Sequence, residues 1–437
     1  MHAQPSPADL KEKIGKEAKV AGWVHDVRVL GGISFVLLRN FNGIVQVAAP
    51  KKSVKPEIFE LIAGLHQEDV IEVEGTVKES KAARMGFEIV PAKIHVFSKA
   101  ATPLPLDPRG VTPASLDTRL EWRSLELRRP ETTAVFRVEN AVVQGFEEFL
   151  QNSGFIRAFT PSIIGGVSEG GSEVFKIDFY GKDAFLRQDP QLHRQLTIAG
   201  GFDRIYDLGT NWRAELSHTP RHLSEHRTIA PEMGFIADER DVMKLEEDMV
   251  VHGIRYVTKH CADELKLLKV DLKIPETPFP VVEFPALYAT LENLGRKLPR
   301  NQDIDEPSQR ALAEQVRKET GSDFFFINRF PAAAKAFYVM RVDETPEFAR
   351  SVDLVYKGLE LSSGGQREHR HEKIIAQIKE KGYDPKSLEW FTEPFRYGVP
   401  PHGGYSLGIE RFTSYLLGME SIKEAVLFPR DPERLQP

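Results

Sequence analysis

The sequence predicts an α+β chain of two parts, a small N-terminal barrel of five β-strands and a larger domain mixing strands and helices. Three observations carry this. Residues 19–97 break into five short apolar runs bounded by turn residues. A segment holding Pro103, Pro105, Pro108 and Pro113 then interrupts both the helical and the strand periodicity. Beyond it, helical and strand spacings recur, with glycine-rich and cation-rich stretches among them.

Bulk properties set the frame. The 437 residues suffice for two or three domains with separate cores, and hydrophobic and charged fractions of 41% and 28% are those of ordinary globular proteins. No run approaches the roughly 18 apolar residues of a membrane span, and MHAQPSPADLKEK lacks the apolar core of a signal peptide. The single cysteine, Cys261, excludes a disulfide framework and a multi-cysteine zinc site, so a cytoplasmic location is expected. The net charge of −6 divides unevenly. Residues 1–105 hold 14 basic and 12 acidic side chains, whereas the remainder holds 44 and 52. Any RNA binding must therefore rest on local patches and base stacking.

Strands are expected at about 20–24, 34–38, 44–48, 70–77 and 87–97. Asn42-Gly43 signals a two-residue hairpin turn, which would pair Phe41 with Ile44 and Arg39 with Gln46. Alternation then sets Phe35, Arg39 and Gln46 on one face. A ring, a guanidinium and an amide on a small barrel can stack on and hydrogen-bond unpaired bases. The competing reading makes Phe35 a core residue and Arg39 a solvated one. Residues 103–130 read as a linker, and Val135, Val138, Val142, Phe146, Phe149 and Leu150 follow helical spacing towards Gly154 and Pro161. Gly165-Gly166 and Gly170-Gly171 then flank Val167-Ser168-Glu169, a segment suited to cover a small ligand.

Two stretches concentrate chemistry. Residues 204–235, RIYDLGTNWRAELSHTPRHLSEHRTIAPEMGF, read as a hairpin that brings Arg213, Arg221, His222 and Arg227 near the carboxylate of Glu215. Cations beside a carboxylate suit a polyphosphate and its metal ion, although a salt-bridged surface hairpin would look alike. Residues 402–411, HGGYSLGIER, are a glycine-rich strand leading into a helix that presents Arg411. Between them, Asp353, Glu360 and Ser363 supply the hard oxygen donors that Mg2+ prefers. No chemistry is evident in residues 240–350. A GxxxxGK[ST] phosphate loop and the class I synthetase signatures are absent.

As a set, the Arg213-x-Glu215 run, the Arg221-His222 loop and Gly408-Ile409-Glu410-Arg411 resemble motifs 2 and 3 of the class II aminoacyl-tRNA synthetases. The similarity is strongest to the archaeal-type aspartyl branch and covers nearly the whole chain. It implies an OB-fold anticodon-binding domain over 1–102, a hinge over 103–130, and over 131–437 a catalytic domain built on an antiparallel sheet flanked by helices. Motif 1 would span about 135–161 and form a homodimer interface. Motif 2 would span about 204–235 and motif 3 about 401–420.

The implied reaction joins L-aspartate to ATP with Mg2+ and transfers the aspartyl group to the 3′ end of the aspartate tRNA. Arg213 and Arg411 would be catalytic. ATP would lie against Arg213, Glu215, Arg221, His222, His226, Glu360, Gly408 and Arg411, with Mg2+ on Asp353, Glu360 and Ser363. The amino acid would meet Glu169, Asp189, Gln191, Arg194, Arg213, Ser363 and Arg367. The anticodon would meet His25, Arg28, Phe35, Arg39, Gln46 and Arg84. His25 stands where strict forms tend to carry Trp and relaxed forms His. Arg84 matches the strict forms, and the balance favours charging the asparagine tRNA as well.

Three departures bear on the amino acid. Arg194 replaces a usual Lys that pairs with the substrate's side-chain carboxylate, Asp189 replaces a Ser, and Ala230 replaces an Asp near the substrate ammonium. His226 also replaces a usual aromatic partner of adenine. Two cations, Arg194 and Arg367, still select an acidic side chain over an amide. A paralogue that binds nucleotide or RNA without charging tRNA remains the alternative of another class.

Overall fold

The computed structural model describes residues 4–166, 174–214 and 223–437. They form two units, Met1–Leu125 and Glu126–Pro437, divided within the stretch expected as a hinge. In the first unit, β1 (Glu17–Leu30), β2 (Ile33–Asn40), β3 (Gly43–Pro50), β4 (Val70–Glu79) and β5 (Phe87–Ser98) close into a barrel ordered β1-β2-β3-β5-β4. Alternation along each strand turns Val20, Val24, Val36, Leu38, Val45 and Val47 inward. Helix Pro56–Ala63 adds Ile58 and Ile62 to the same core.

The β2–β3 turn differs from the expected one. Arg39 pairs with Ile44, Leu37 with Gln46 and Asn40 with Gly43, so the turn residues are Phe41 and Asn42. Asn40 Oδ1 accepts the Asn42 N–H at 2.8 Å, a side-chain turn that closes the loop one residue early. The pairing slips by two residues, one full pleat. Phe35, Arg39 and Gln46 therefore keep the common face that alternation gave them.

In the second unit, β6 (Ile156–Ala158), β7 (Ile163–Ile164), β8 (Lys176–Phe179) and β9 (Lys182–Leu186) precede the long hairpin of β10 (Arg204–Trp212) and β11 (Glu225–Gly234). Next come β12 (Val281–Glu283), β13 (Phe324–Asn328), β14 (Ser351–Tyr356), β15 (Leu359–Arg367) and β16 (His402–Gly408). The main sheet runs β12-β13-β14-β15-β16-β11-β10-β6, and β7-β9-β8 form a small second sheet. Pairing is antiparallel from β13 to β10, with β12 and β6 added in parallel at the edges. The sheet is thus mixed rather than purely antiparallel.

Helices Pro130–Asn152 and Glu239–His260 pack on one face of this sheet. Val138, Val142 and Phe146 of the first and Met249, Val250 and Ile254 of the second share a core with Tyr405 and Leu407 of β16. Because strand side chains alternate, His402, Gly404, Ser406 and Gly408 must point from the opposite face. Thr228, Ala230 and Glu232 of β11 join them there. None of the described helices is long and apolar enough to cross a membrane.

Candidate active site

That opposite face lines a cavity of about 640 Å³. Glu232, Gly404 and Gly365 lie side by side across β11, β16 and β15. The two glycines leave the space beside Glu232 to longer side chains. A Cβ on Gly404 would collide with the Pro231 carbonyl oxygen, so only glycine lets β16 approach β11 this closely.

Into that space come two arginines and a glutamine. Gln191 and Arg194 lie one turn apart on the buried side of helix Gln191–Ala199, and Arg367 ends β15. Glu232, fully buried, accepts from Arg367 Nε at 2.9 Å and from Gln191 Nε2 at 3.3 Å, with Arg194 Nε at 3.5 Å. Arg367 Nη2 donates to Gln191 Oε1 and to the Gly404 carbonyl, both at 2.8 Å. Arg194 Nη2 reaches the same Gln191 oxygen at 2.5 Å, and its Nη1 lies 2.8 Å from Asp189 Oδ1. Ser406 Oγ donates to Asp189 Oδ2.

Burial raises the pKa of Glu232, but the guanidiniums of Arg367 and Arg194 outweigh it and hold the carboxyl below its usual range. Asp189 is lowered in the same way, with Arg194 overcoming burial. The result is a buried set of two cations and two anions, carried by segments that lie far apart in sequence.

The rest of the cavity has a different character. Arg213, His226 and Arg411 line it together. Burial, reinforced by Arg213 and Arg411, pushes the His226 imidazole down to about 3, so it is a neutral ring flanked by cations. Arg411 Nη1 donates to the Glu360 carbonyl at 3.1 Å, with the Glu360 carboxylate at 4.0 Å. Ser363 Oγ donates to Asp353 Oδ1 at 2.6 Å, and Lys335 Nζ donates to Asp353 Oδ2 at 3.0 Å. Asp303 and the Phe330 ring also hold the Lys335 ammonium, at 3.2 and 3.6 Å. Burial opposes that charge, but Asp353 and Asp303 raise the pKa of Lys335 above its ordinary value. One cavity thus joins a charge-paired pocket to a cationic wall with a flat neutral ring.

The model for class II tRNA synthetases (D, K and N) matches residues 115–432, and that for the OB-fold nucleic acid binding domain matches 18–97. A Thermococcus kodakarensis protein named aspartate–tRNA(Asp) ligase is 47% identical over 98% of each chain. The chain belongs to the class II aspartate–tRNA ligase family. A Methanopyrus kandleri relative named aspartate–tRNA(Asp/Asn) ligase is 43% identical over 98% of this chain and 97% of its own. Among solved structures, Pyrococcus horikoshii asparaginyl-tRNA synthetase with asparaginyl-adenylate superposes with a TM-score of 0.92 at 31% identity, covering both chains fully. Entamoeba histolytica aspartyl-tRNA synthetase gives 0.90 at 28% identity, covering all of this chain and 93% of that one. Members of the family use ATP and Mg2+.

Of the residues singled out from the synthetase sequence, Asp189, Gln191, Arg213, His226, Glu360, Ser363, Arg367, Gly408 and Arg411 line this one cavity. Arg194 and Asp353 stand directly behind it, almost fully buried. Glu169, Glu215, Arg221 and His222 lie outside the described residues. Arg227 pairs with Glu410 at 3.0 Å and Glu225 at 3.2 Å.

Sequence reasoning missed Glu232, which reads as one polar residue in an apolar strand. It also found no chemistry in 240–350, where Asp303, Lys335 and Tyr338 line the cavity. For Lys335 no sequence signal exists, because it acts through Asp353, which lies 18 residues further on.

The barrel corrects a second expectation. Phe35 and Gln46 are half-buried on the outer face, where Gln46 Nε2 donates to Glu88 at 3.1 Å, and Arg28 and Arg84 are exposed. Arg39, expected beside them as a base-stacking cation, is 4% exposed and gives both Nη2 hydrogen bonds to Glu68, at 2.8 and 2.9 Å. Its Nη1 lies 3.1 Å from His25 Nδ1. A guanidinium only donates, so His25 Nδ1 accepts and the ring's proton sits on Nε2. Burial and then Arg39 lower the His25 pKa, consistent with this neutral tautomer.

Proposed function

We propose that this chain activates L-aspartate with Mg-ATP and transfers it to the aspartate tRNA, and to the asparagine tRNA as well. The observation that carries this reading is the division of one cavity into a charge-paired pocket and a cationic wall. Arg194 and Arg367 receive the substrate's side-chain carboxylate, and Gln191 bridges them. Arg213 holds the α-carboxylate against the α-phosphorus, so the attack needs positioning and charge neutralisation but no covalent help from the protein. Arg411 and Arg213 neutralise phosphate oxygens, while neutral His226 offers its face to adenine. The carboxylate oxygen forms a bond to phosphorus as the bond to the β-phosphate oxygen breaks, and pyrophosphate leaves.

Glu360 and Ser363 in the cavity, with Asp353 behind Ser363, form an oxygen-only donor set that fits Mg2+. When bound there, Mg2+ would neutralise charge on the phosphates. Asp353 holds Ser363 in place, and Lys335 offsets part of the burial that, with Glu360 and Asp303, pushes the Asp353 carboxyl up to about 7.

On the barrel, Phe35 and Gln46 meet the middle anticodon base, and His25, Arg28 and Arg84 lie beside the base that differs between the two tRNAs. Arg39, held by Glu68, supports His25 from behind. With its proton on Nε2, His25 offers one donor, and both cytosine and uracil carry acceptors for it.

The test screens amino acids for dependence of pyrophosphate–ATP exchange, then charges each tRNA transcript with aspartate, using the parent and His25→Trp. Exchange with aspartate and comparable charging of both tRNAs is expected, with His25→Trp favouring the aspartate tRNA. A parent already selective by about 100-fold, near 2.7 kcal/mol, would sink the relaxed reading.

The enzyme works as a homodimer through the region after helix Pro130–Asn152. Phe159 is 84% exposed there, beside Ile156 and Ile163, at 55% and 45%. Phe159→Asp should convert dimer to monomer in sedimentation velocity. A variant that still sediments as a dimer would move the interface elsewhere.

A further inference from the structure

Arg194 is 1% exposed, yet its Nε and Nη1 have no aligned hydrogen-bond acceptor. Asp189 Oδ1 lies 2.8 Å from Nη1 and is itself without an aligned donor. The two charges touch, but their geometry is poor. Arg367, by contrast, is fixed by well-directed bonds to Glu232, Gln191 and Gly404. Of the two cations, Arg194 is the one whose partner can be exchanged.

The position of Asp189 adds a second observation. Its other oxygen is bonded to Ser406. The pairs Ile229↔Leu407 and Glu232↔Gly404 bracket Ser406 and place it opposite Ala230. The Asp189 carboxylate thus hangs over a strand position whose own side chain ends at Cβ. Other described carboxylates around the site are engaged with cations of the chain: Glu232 with two arginines, Asp207 with Arg187, Asp353 with Lys335 and Glu410 with Arg227.

Resting on the aspartate-activating reading, we infer that Asp189 exchanges partners during substrate binding. It neutralises Arg194 until the substrate's side-chain carboxylate takes that guanidinium, and then turns about Ser406 to receive the substrate's ammonium. The buried set keeps its charge balance throughout. The exchange also makes Asp189 a specificity device. An amino acid with an amide side chain cannot release Asp189 from Arg194, so its ammonium finds no partner.

The test compares aspartate with succinate, which is aspartate without its amino group. In pyrophosphate–ATP exchange, Asp189→Asn should raise the KM for aspartate about tenfold or more, while the inhibition constant of succinate stays unchanged or falls. Adding Ala230→Asp to Asp189→Asn should restore much of the aspartate affinity. Asp189→Ser, read beside Asp189→Asn, should give the same contrast between the two ligands. Parallel weakening of both ligands, whether from lost structure or from a displaced Arg194, would overturn the exchange, as would no change in either. A parent that fails to activate aspartate would instead overturn the reading of the site as a whole.

Discussion

Replacing Glu232 by glutamine is expected to cost the catalytic unit about 3–5 kcal/mol of stability, the range for removing one partner of a buried ion pair, and to abolish aspartate activation. Glutamine preserves shape and one acceptor oxygen but removes the charge that Arg367 and Arg194 share. The two guanidiniums are 3% and 1% exposed, so water cannot replace it. Asp189 alone would face both cations, and the exchange that substrate binding requires would stall. Urea denaturation followed by fluorescence measures the first effect and pyrophosphate exchange the second. Wild-type stability in Glu232→Gln would show that the cluster relaxes around the loss, contrary to its close packing.

Arg213→Ala is expected to lower the rate of adenylate formation by about 10³-fold, as when a positioned oxyanion donor is removed, with stability almost unchanged. The two effects separate because of where Arg213 lies. It follows the last residue of β10, its backbone N–H is held by Ser224 O at 3.0 Å, and its side chain is exposed on the cavity wall. The hairpin therefore persists without the guanidinium. Single-turnover adenylation measures the step, and thermal melting checks the fold. Near-normal adenylation in a folded variant would remove Arg213 from the reaction.

The strands, the barrel and most of the cavity lining were legible because their signals are local. Alternation placed Phe35, Arg39 and Gln46 on one face even though their pairing was wrong, since a slip of a whole pleat preserves faces. Glycine and arginine spacing marked residues 402–411 for the same reason. What stayed hidden was pairing across distance. Arg39 and Glu68 find each other across 29 residues, and Arg367 and Glu232 across 135. No spacing rule links such residues, so Arg39 read as a cation facing outward to meet a base and Glu232 as a stray polar residue in a strand. Lys335 was invisible for a related reason, because Asp303 and Asp353, the aspartates that hold it, are distant from it in the sequence.

The strand order has a consequence for how the enzyme comes into being. β16 lies between β11 and β15, yet it follows both in the chain. During synthesis, β11 and β15 must each wait with an unpaired edge until residues 402–408 leave the ribosome. Ser406 and the Gly404 carbonyl, which hold Asp189 and Arg367, arrive with that strand. A nascent chain stopped before it holds two open edges and an incomplete pocket, a state exposed to intermolecular strand pairing. Closure of the sheet and competence to bind aspartate are therefore one event, and both wait for β16.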